Sequence, residues 1–313
     1  MSIALLSHPD CRRHDPGAAH PESPARLTAI EDQLVASGLE FVLRHVEAPL
    51  VTREQLLRVH TPEYVDTVFG SAPTTGHVAL DGDTVMGPHS LAAARRAAGA
   101  CVRAVDLVMT GEAGAAFCNI RPPGHHATRD RAMGFCLFNN VAVGAAHALT
   151  HHGLRRVAIV DFDIHYGNGT EAIFQADPRV MVCSSFQHPL FPFDQLGPES
   201  DHIVHAPLAA GADGTAFRAA AETIWLPRLD AFRPQLVLIS AGFDGHHEDD
   251  FSDTLLTERD YGWVTEQIKA IADRHADGRI VSVLEGGYVL PALARSAAAH
   301  INALLGQRAA QQA

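Results

Sequence analysis

Residues 157–160, Val-Ala-Ile-Val, contain no polar side chain, and two acids, Asp161 and Asp163, follow at once. A strand with no polar face fits a sheet covered on both sides, which is characteristically a parallel sheet joined by helices. Short apolar runs at 114–120, 180–183, 236–239 and Ile280–Leu284 read as further strands. Helical stretches separate them: Ala-rich 89–110 ending at Gly111, 139–152 ending at Gly153, and 215–229. Another opens on the capping pair Thr257 and Asp260 and runs to about His275. Near the N-terminus, Ser23 is expected to cap a helix that starts at Pro24 and carries the stripe Leu27, Ile30, Leu34 and Val35. This alternation predicts an α/β fold around a mostly parallel sheet.

With 313 residues, 47% of them hydrophobic, the chain can fill one large core or two small ones. No stretch reaches the ~20 apolar residues of a membrane span, and the first residues lack the pattern of a secretory signal. The five cysteines are scattered and without a CxxC pair, which favours reduced thiols and a cytoplasmic setting. A net charge of −12 argues against a nucleic-acid surface. Residues 309–313 read as a frayed tail.

In parallel α/β sheets, ligands bind beyond the carboxyl ends of the strands, and the polar motifs of this chain fall there. His125 and His126 follow one run, Asp161, Asp163 and His165 the next, and Asp244 and Tyr288 two later ones. In extended chain, residues two apart share a side, so two of Asp161, Asp163 and His165 could join Asp244 around one metal. Two carboxylates and an imidazole suit Zn²⁺, and Fe²⁺, Co²⁺ or Mn²⁺ less exclusively. The competing reading makes Asp161 and Asp163 turn or helix caps, and Tyr288 and Phe135 core residues.

Beyond these residue types, five motifs in order resemble the zinc-dependent histone deacetylase superfamily, which includes acetylpolyamine amidohydrolases and acetoin-utilisation proteins. They are RPPGHH (121–126), GFCLFNN (134–140), DFDIHYGNGT (161–170), SAGFD (240–244) and LEGGY (284–288), preceded by HPESPARL (20–27). The resemblance implies a single arginase-like domain over 1–313, with helices on both faces of the sheet. It implies zinc ligands Asp163, His165 and Asp244, His126 as general base and then acid, and His125 as an electrostatic aid. Asp161 would turn from the zinc to orient His125, and Asn168 would orient His126, as in the class II branch. Tyr288 would donate to the oxyanion, on a loop freed by Gly286 and Gly287.

The same resemblance puts Gly134 and Phe135 on one wall of a narrow channel, and Phe186 or Phe191 on the other. Gly286 and the rim acid Asp83 would also meet substrate, and Arg26 would line an acetate exit path. Phe251 stands where polyamine-specific relatives carry a glutamate. One potassium ion would sit at Asp161, Asp163, His165 and Ser184, a second at Phe174, Asp177 and Val180. The expected activity is removal of acetyl or other acyl groups from lysine side chains of proteins or peptides. An acetylpolyamine or another small amide is the alternative substrate. A non-catalytic acyl-lysine reader and an arginase-like two-metal hydrolase are weaker alternatives. Neither nucleic acid nor membrane is an expected partner, and the oligomeric state is open.

Overall fold

A computed structural model describes residues 2–193 and 196–306. The tail at 309–313 lies outside the described residues. The described residues form ten strands: β1 (Ile3–Ser7), β2 (Leu43–Glu47), β3 (Val78–Ala79), β4 (Val85–Met86), β5 (Ala115–Cys118), β6 (Val157–Asp161), β7 (Val180–Gln187), β8 (Ile203–Leu208), β9 (Leu236–Ala241) and β10 (Ile280–Leu284). Apart from the small β3–β4 hairpin, they form one sheet in the order β2-β1-β5-β10-β9-β6-β7-β8, every pair parallel. Helices Ser90–Met109 and Asn140–Thr150 pack together against one face of the sheet. Ala25–Ala36, Glu258–His275 and Leu290–Leu304 form a second layer. Every residue of β5, β6, β7, β9 and β10 is buried, as the lack of a polar face in 157–160 requires.

Four differences from the sequence reading have physical causes. Strands β1, β2 and β8 were not anticipated, and β2 is a half-exposed edge without a buried run. Strand β7 continues past Cys183 through Ser184, Ser185 and Gln187, polar residues that are nonetheless buried. The helix expected at 215–229 is divided into Gly214–Ala220, a π-helical turn Ala221–Trp225 and Leu226–Phe232. Pro227 has no N–H to give the preceding turn, and the wider turn accommodates it. Finally, Ser23 makes no cap: the first long helix starts at Ala25 with Pro24 before it and no side-chain cap, and Val35 of its stripe is exposed. The Thr257–Asp260 capping box forms as expected. Among the described residues, no helix is long and apolar enough to cross a membrane.

Candidate active site

Neighbours in the sheet, β5, β10, β9 and β6 end side by side, and each hands its chain to one motif. From the end of β5 come His125 and His126, both buried, with ring centroids 4.0 Å apart. Beyond β6 lie Asp163 and His165, and beyond β9 lies Asp244. The ligand atoms of Asp163, His165 and Asp244 all lie within 4.8 Å of one another. His165 Nδ1 is 3.2 Å from Asp163 Oδ1 and 3.0 Å from Asp244 Oδ2. Three buried groups of this kind, two of them anionic, fit a divalent cation.

Asp161 does not join this group. Its Oδ2 lies 3.0 Å from His125 Nδ1, and its Oδ1 accepts the Asp163 N–H at 3.1 Å. His126 Nδ1 meets Asn168 Oδ1 at 2.9 Å. The two histidines are therefore held by different partners, one charged and one neutral. Burial opposes a charge on either ring. At His125 the carboxylates of Asp163 and Asp161 overcome it and raise the basicity well above the usual value. At His126 no such pair intervenes, and burial with the nearby His125 and His165 drives it well below.

Tyr288 arrives on the loop after β10. Arg26, fully buried, donates to the carbonyls of Glu285 and Gly287 and stands over the Tyr288 ring at 5.1 Å. It also forms a 3.1 Å ion pair with Glu22, so both the salt bridge and the loop contact exist. Gly286 lies beneath the site: its N–H donates to Asp163 Oδ2 at 2.8 Å, and any side chain there would collide with the Asp244 carboxylate. Burial raises the Tyr288 phenol well above its usual range, so it is a donor at neutral pH.

Above these groups opens a cavity of about 180 Å³, lined by Asp83, His126, Gly134, Phe135, His165, Phe191, Phe251 and Tyr288. Phe135 is held with φ 68, after Gly134 at φ 55, and its ring meets Tyr288 edge-on at 5.8 Å. Phe191 stands edge-on to His126 at 5.1 Å, and Phe251 packs on Tyr288 at 4.4 Å. Of the two candidates for the opposite wall, Phe186 is excluded: it is fully buried against Tyr166 and His205. Asp83 Oδ1 accepts the Gly134 N–H at 3.1 Å, which fixes the turn presenting Phe135. Ser184 pairs with Asp161 in the β6–β7 register, and its hydroxyl oxygen is buried with no hydrogen-bond partner among the described residues. Phe174, Asp177 and Val180 lie on one turn, where Asp177 N–H donates to Phe174 O and Val180 N–H to Asp177 O.

Sequence reasoning passed over several residues that organise the site. Glu285 Oε2 accepts the N–H groups of Gly124 and His125 at 2.6 and 3.1 Å. Burial pushes its carboxyl up to about 7. Asp249 receives the Tyr288 and Val289 N–H groups, and His20 packs on Phe135 at 4.6 Å. Glu285 lies inside the LEGGY motif, whereas Asp249 is one acid in the run 248–250.

A family model described as histone deacetylase domain matches residues 20–304. An uncharacterised Synechocystis protein is 39% identical over 97% of this chain and 99% of its own length. The histone deacetylase-like amidohydrolase of Pseudomonas aeruginosa is 38% identical over 87% of this chain and 73% of its own. Human polyamine deacetylase HDAC10 is 37% identical over 99% of this chain, which spans 49% of that protein. The crystal structure of the HDA15 HD domain superimposes with a TM-score of 0.92 at 33% identity, covering 99% of this chain and 91% of that one. With its buried Asp-His-Asp cluster, tandem histidines and fold all shared along one chain, the protein belongs to the histone deacetylase family and is a hydrolase of amide bonds.

Proposed function

We propose that the chain is a zinc-dependent deacylase of lysine side chains in proteins or peptides. The observation that carries this reading is the aromatic cavity that leads to the metal-ligand cluster. Phe135, Phe191 and Phe251 offer an apolar sleeve to an uncharged aliphatic stem and place its amide beside His126, His165 and Tyr288. Asp163, His165 and Asp244 would hold zinc, which when bound polarises the amide carbonyl and acidifies a water. His126, kept uncharged by its surroundings, takes the proton of the attacking water and returns it to the leaving amine. His125, whose basicity Asp163 and its partner Asp161 raise, would supply positive charge next to it. Tyr288 donates to the oxygen that gains charge, a contribution of about 3 kcal/mol in comparable sites. Acetate and a free amine leave.

A buried, unpartnered Ser184 hydroxyl beside Asp161 suits a structural potassium ion with Asp161, Asp163 and His165. We assign the second potassium to Phe174, Asp177 and Val180, which lie on one turn and would supply backbone carbonyl oxygens.

The second reading, an acetylpolyamine substrate, draws on the similarity to human polyamine deacetylase HDAC10 and on Asp83 at the cavity. Phe251, packed on Tyr288, puts an apolar ring where an attractive charge would select a polycation, and favours the lysine reading. Release of acid by the zinc-loaded protein from acetyl-lysine peptides, longer acyl-lysine peptides and acetylpolyamines separates the two. Asp163→Asn is expected to abolish turnover, and Tyr288→Phe to lower kcat about 100-fold with little change in KM. Preference for acetylpolyamines would overturn the substrate assignment, and turnover that survives Asp163→Asn would overturn the metal assignment.

A further inference from the structure

At the other end of β6 from the catalytic ligands, the helix Asn140–Thr150 ends in a second group of metal-ligating side chains. His147 Nε2 and His152 Nε2 each lie 2.8 Å from the same oxygen, Asp106 Oδ1, at the end of the neighbouring helix Ser90–Met109. His151 is one turn beyond His147, and its ring stacks on it with centroids 4.8 Å apart and planes at 13°. One ligand atom from each of the four residues falls within 4.8 Å of the others. We propose that Asp106, His147, His151 and His152 form a second metal site that takes one divalent transition-metal ion of the zinc type.

Three imidazoles and one carboxylate make a complete tetrahedral shell, the closed form of a structural rather than a catalytic site. Metal bonds of about 2.0 Å put such ligands roughly 3.3 Å apart, so a separation of 2.8 Å needs a small outward shift, not a rearrangement. Imidazole-rich shells discriminate against magnesium and calcium. His147 is buried while His151 is exposed, so the ion has a route in from solvent and an anchored inner ligand. Binding also needs a neutral imidazole and an ionised acid. One contact must give: Arg58 lies 3.1 Å from His147 Nδ1, which carries a proton once Nε2 binds a metal. Glu54, 3.2 Å from Arg58, is the partner to which that guanidinium retreats.

The test is zinc content by plasma mass spectrometry after gel filtration, read together with Tm in zinc and in chelator. Four proteins are compared: wild type, Asp163→Asn/His165→Ala, His151→Ala/His152→Ala, and the combination. About two, one, one and no equivalents are expected, with the peripheral ion giving a zinc-dependent rise in Tm. In chelator, a cooperative melt and a wild-type circular dichroism spectrum show that His151→Ala/His152→Ala is folded, with its Tm lowered by no more than the lost His152–Asp106 contact. The proposal is overturned if the Asp163→Asn/His165→Ala protein holds no zinc, or if it holds an ion that His151→Ala/His152→Ala does not remove. Loss of the catalytic-site reading would look different, because wild type would then hold a single ion that only the peripheral substitutions remove.

Discussion

His126 is bracketed by groups that disfavour its charge. Burial acts first, then His125 and His165; Asp163 opposes them from across the site, and the ring's hydrogen-bond partner is the neutral Asn168 at 2.9 Å. A base must be unprotonated to act, so the acid limb of the kcat/KM profile lies where this imidazole gains a proton. Asn168→Asp places an anion at the same oxygen position and favours the charged ring. The limb is expected to move to higher pH by about one unit, with activity falling on the acid side. A profile measured from pH 5 to 9 checks this, and an unmoved limb would show that His126 is not the titrating base. The neutral partner was legible in the sequence, because Asn168 stands inside a recognisable run. The resulting depression of His126 was not, since it depends on His165 packing on the ring at 6.1 Å from across the site.

At the scale of elements, the loop from Glu285 to Tyr288 shows why motif reading stops short of geometry. The Gly286-Gly287 pair announces a mobile approach, yet the loop is tied at every step. Arg26 binds two of its carbonyls, and Asp249 Oδ2 accepts both Tyr288 N–H at 2.7 Å and Val289 N–H at 3.2 Å. Asp249 Oδ1 also accepts the Phe251 N–H at 3.2 Å, so one buried carboxylate fixes Tyr288 and a wall of the cavity together. Asp249→Ala leaves these N–H groups without an acceptor, at about 1–3 kcal/mol each where they are buried. We expect kcat to fall ~10-fold or more with zinc content unchanged, and Asp249→Asn, which keeps one acceptor oxygen, to recover part of the loss. Unchanged kcat in Asp249→Ala would show that Tyr288 is positioned without it. The strand–helix alternation and the order of the motifs were readable because they rest on local patterns. Strands β2 and β8 were not, since their places in the sheet come from tertiary partners rather than from a strictly apolar run, whereas the buried run Ile3–Leu6 of β1 was there to be read. The choice of Phe191 over Phe186 was hidden too, because it depends on which way a proline-rich loop carries its rings.

Across the whole molecule, the buried ion cluster at Glu22 joins parts of the chain that are distant in sequence. Its carboxylate takes a bidentate contact from Arg121 after β5 and a 3.1 Å contact from Arg26, and His14 Nε2 lies 3.4 Å away. Arg121 in turn donates to the carbonyls of Cys11 and His14, while Arg26 reaches the Tyr288 loop. The N-terminal segment, the first long helix, the end of β5 and the loop after β10 therefore meet at one charge. Burial alone would raise the Glu22 carboxyl, but Arg121, His14 and Arg26 together hold it well below its usual range. A depressed value means that the unfolded chain takes up the proton first. The stabilisation is then complete above the ordinary glutamate range, about pH 4.5, and drains away as pH falls toward the folded value. Glu22→Gln removes the anion and leaves two guanidinium groups buried without it. At pH 7 we expect a loss of about 3–5 kcal/mol in urea unfolding. Below about pH 4.5 the wild type should lose up to ~1.4 kcal/mol per pH unit more than the variant, so the two unfolding curves converge on acidification. Circular dichroism at pH 7 establishes that Glu22→Gln is folded. A gap that stays constant from pH 7 to pH 3.5 would show that the charge of Glu22 is not what ties these segments together.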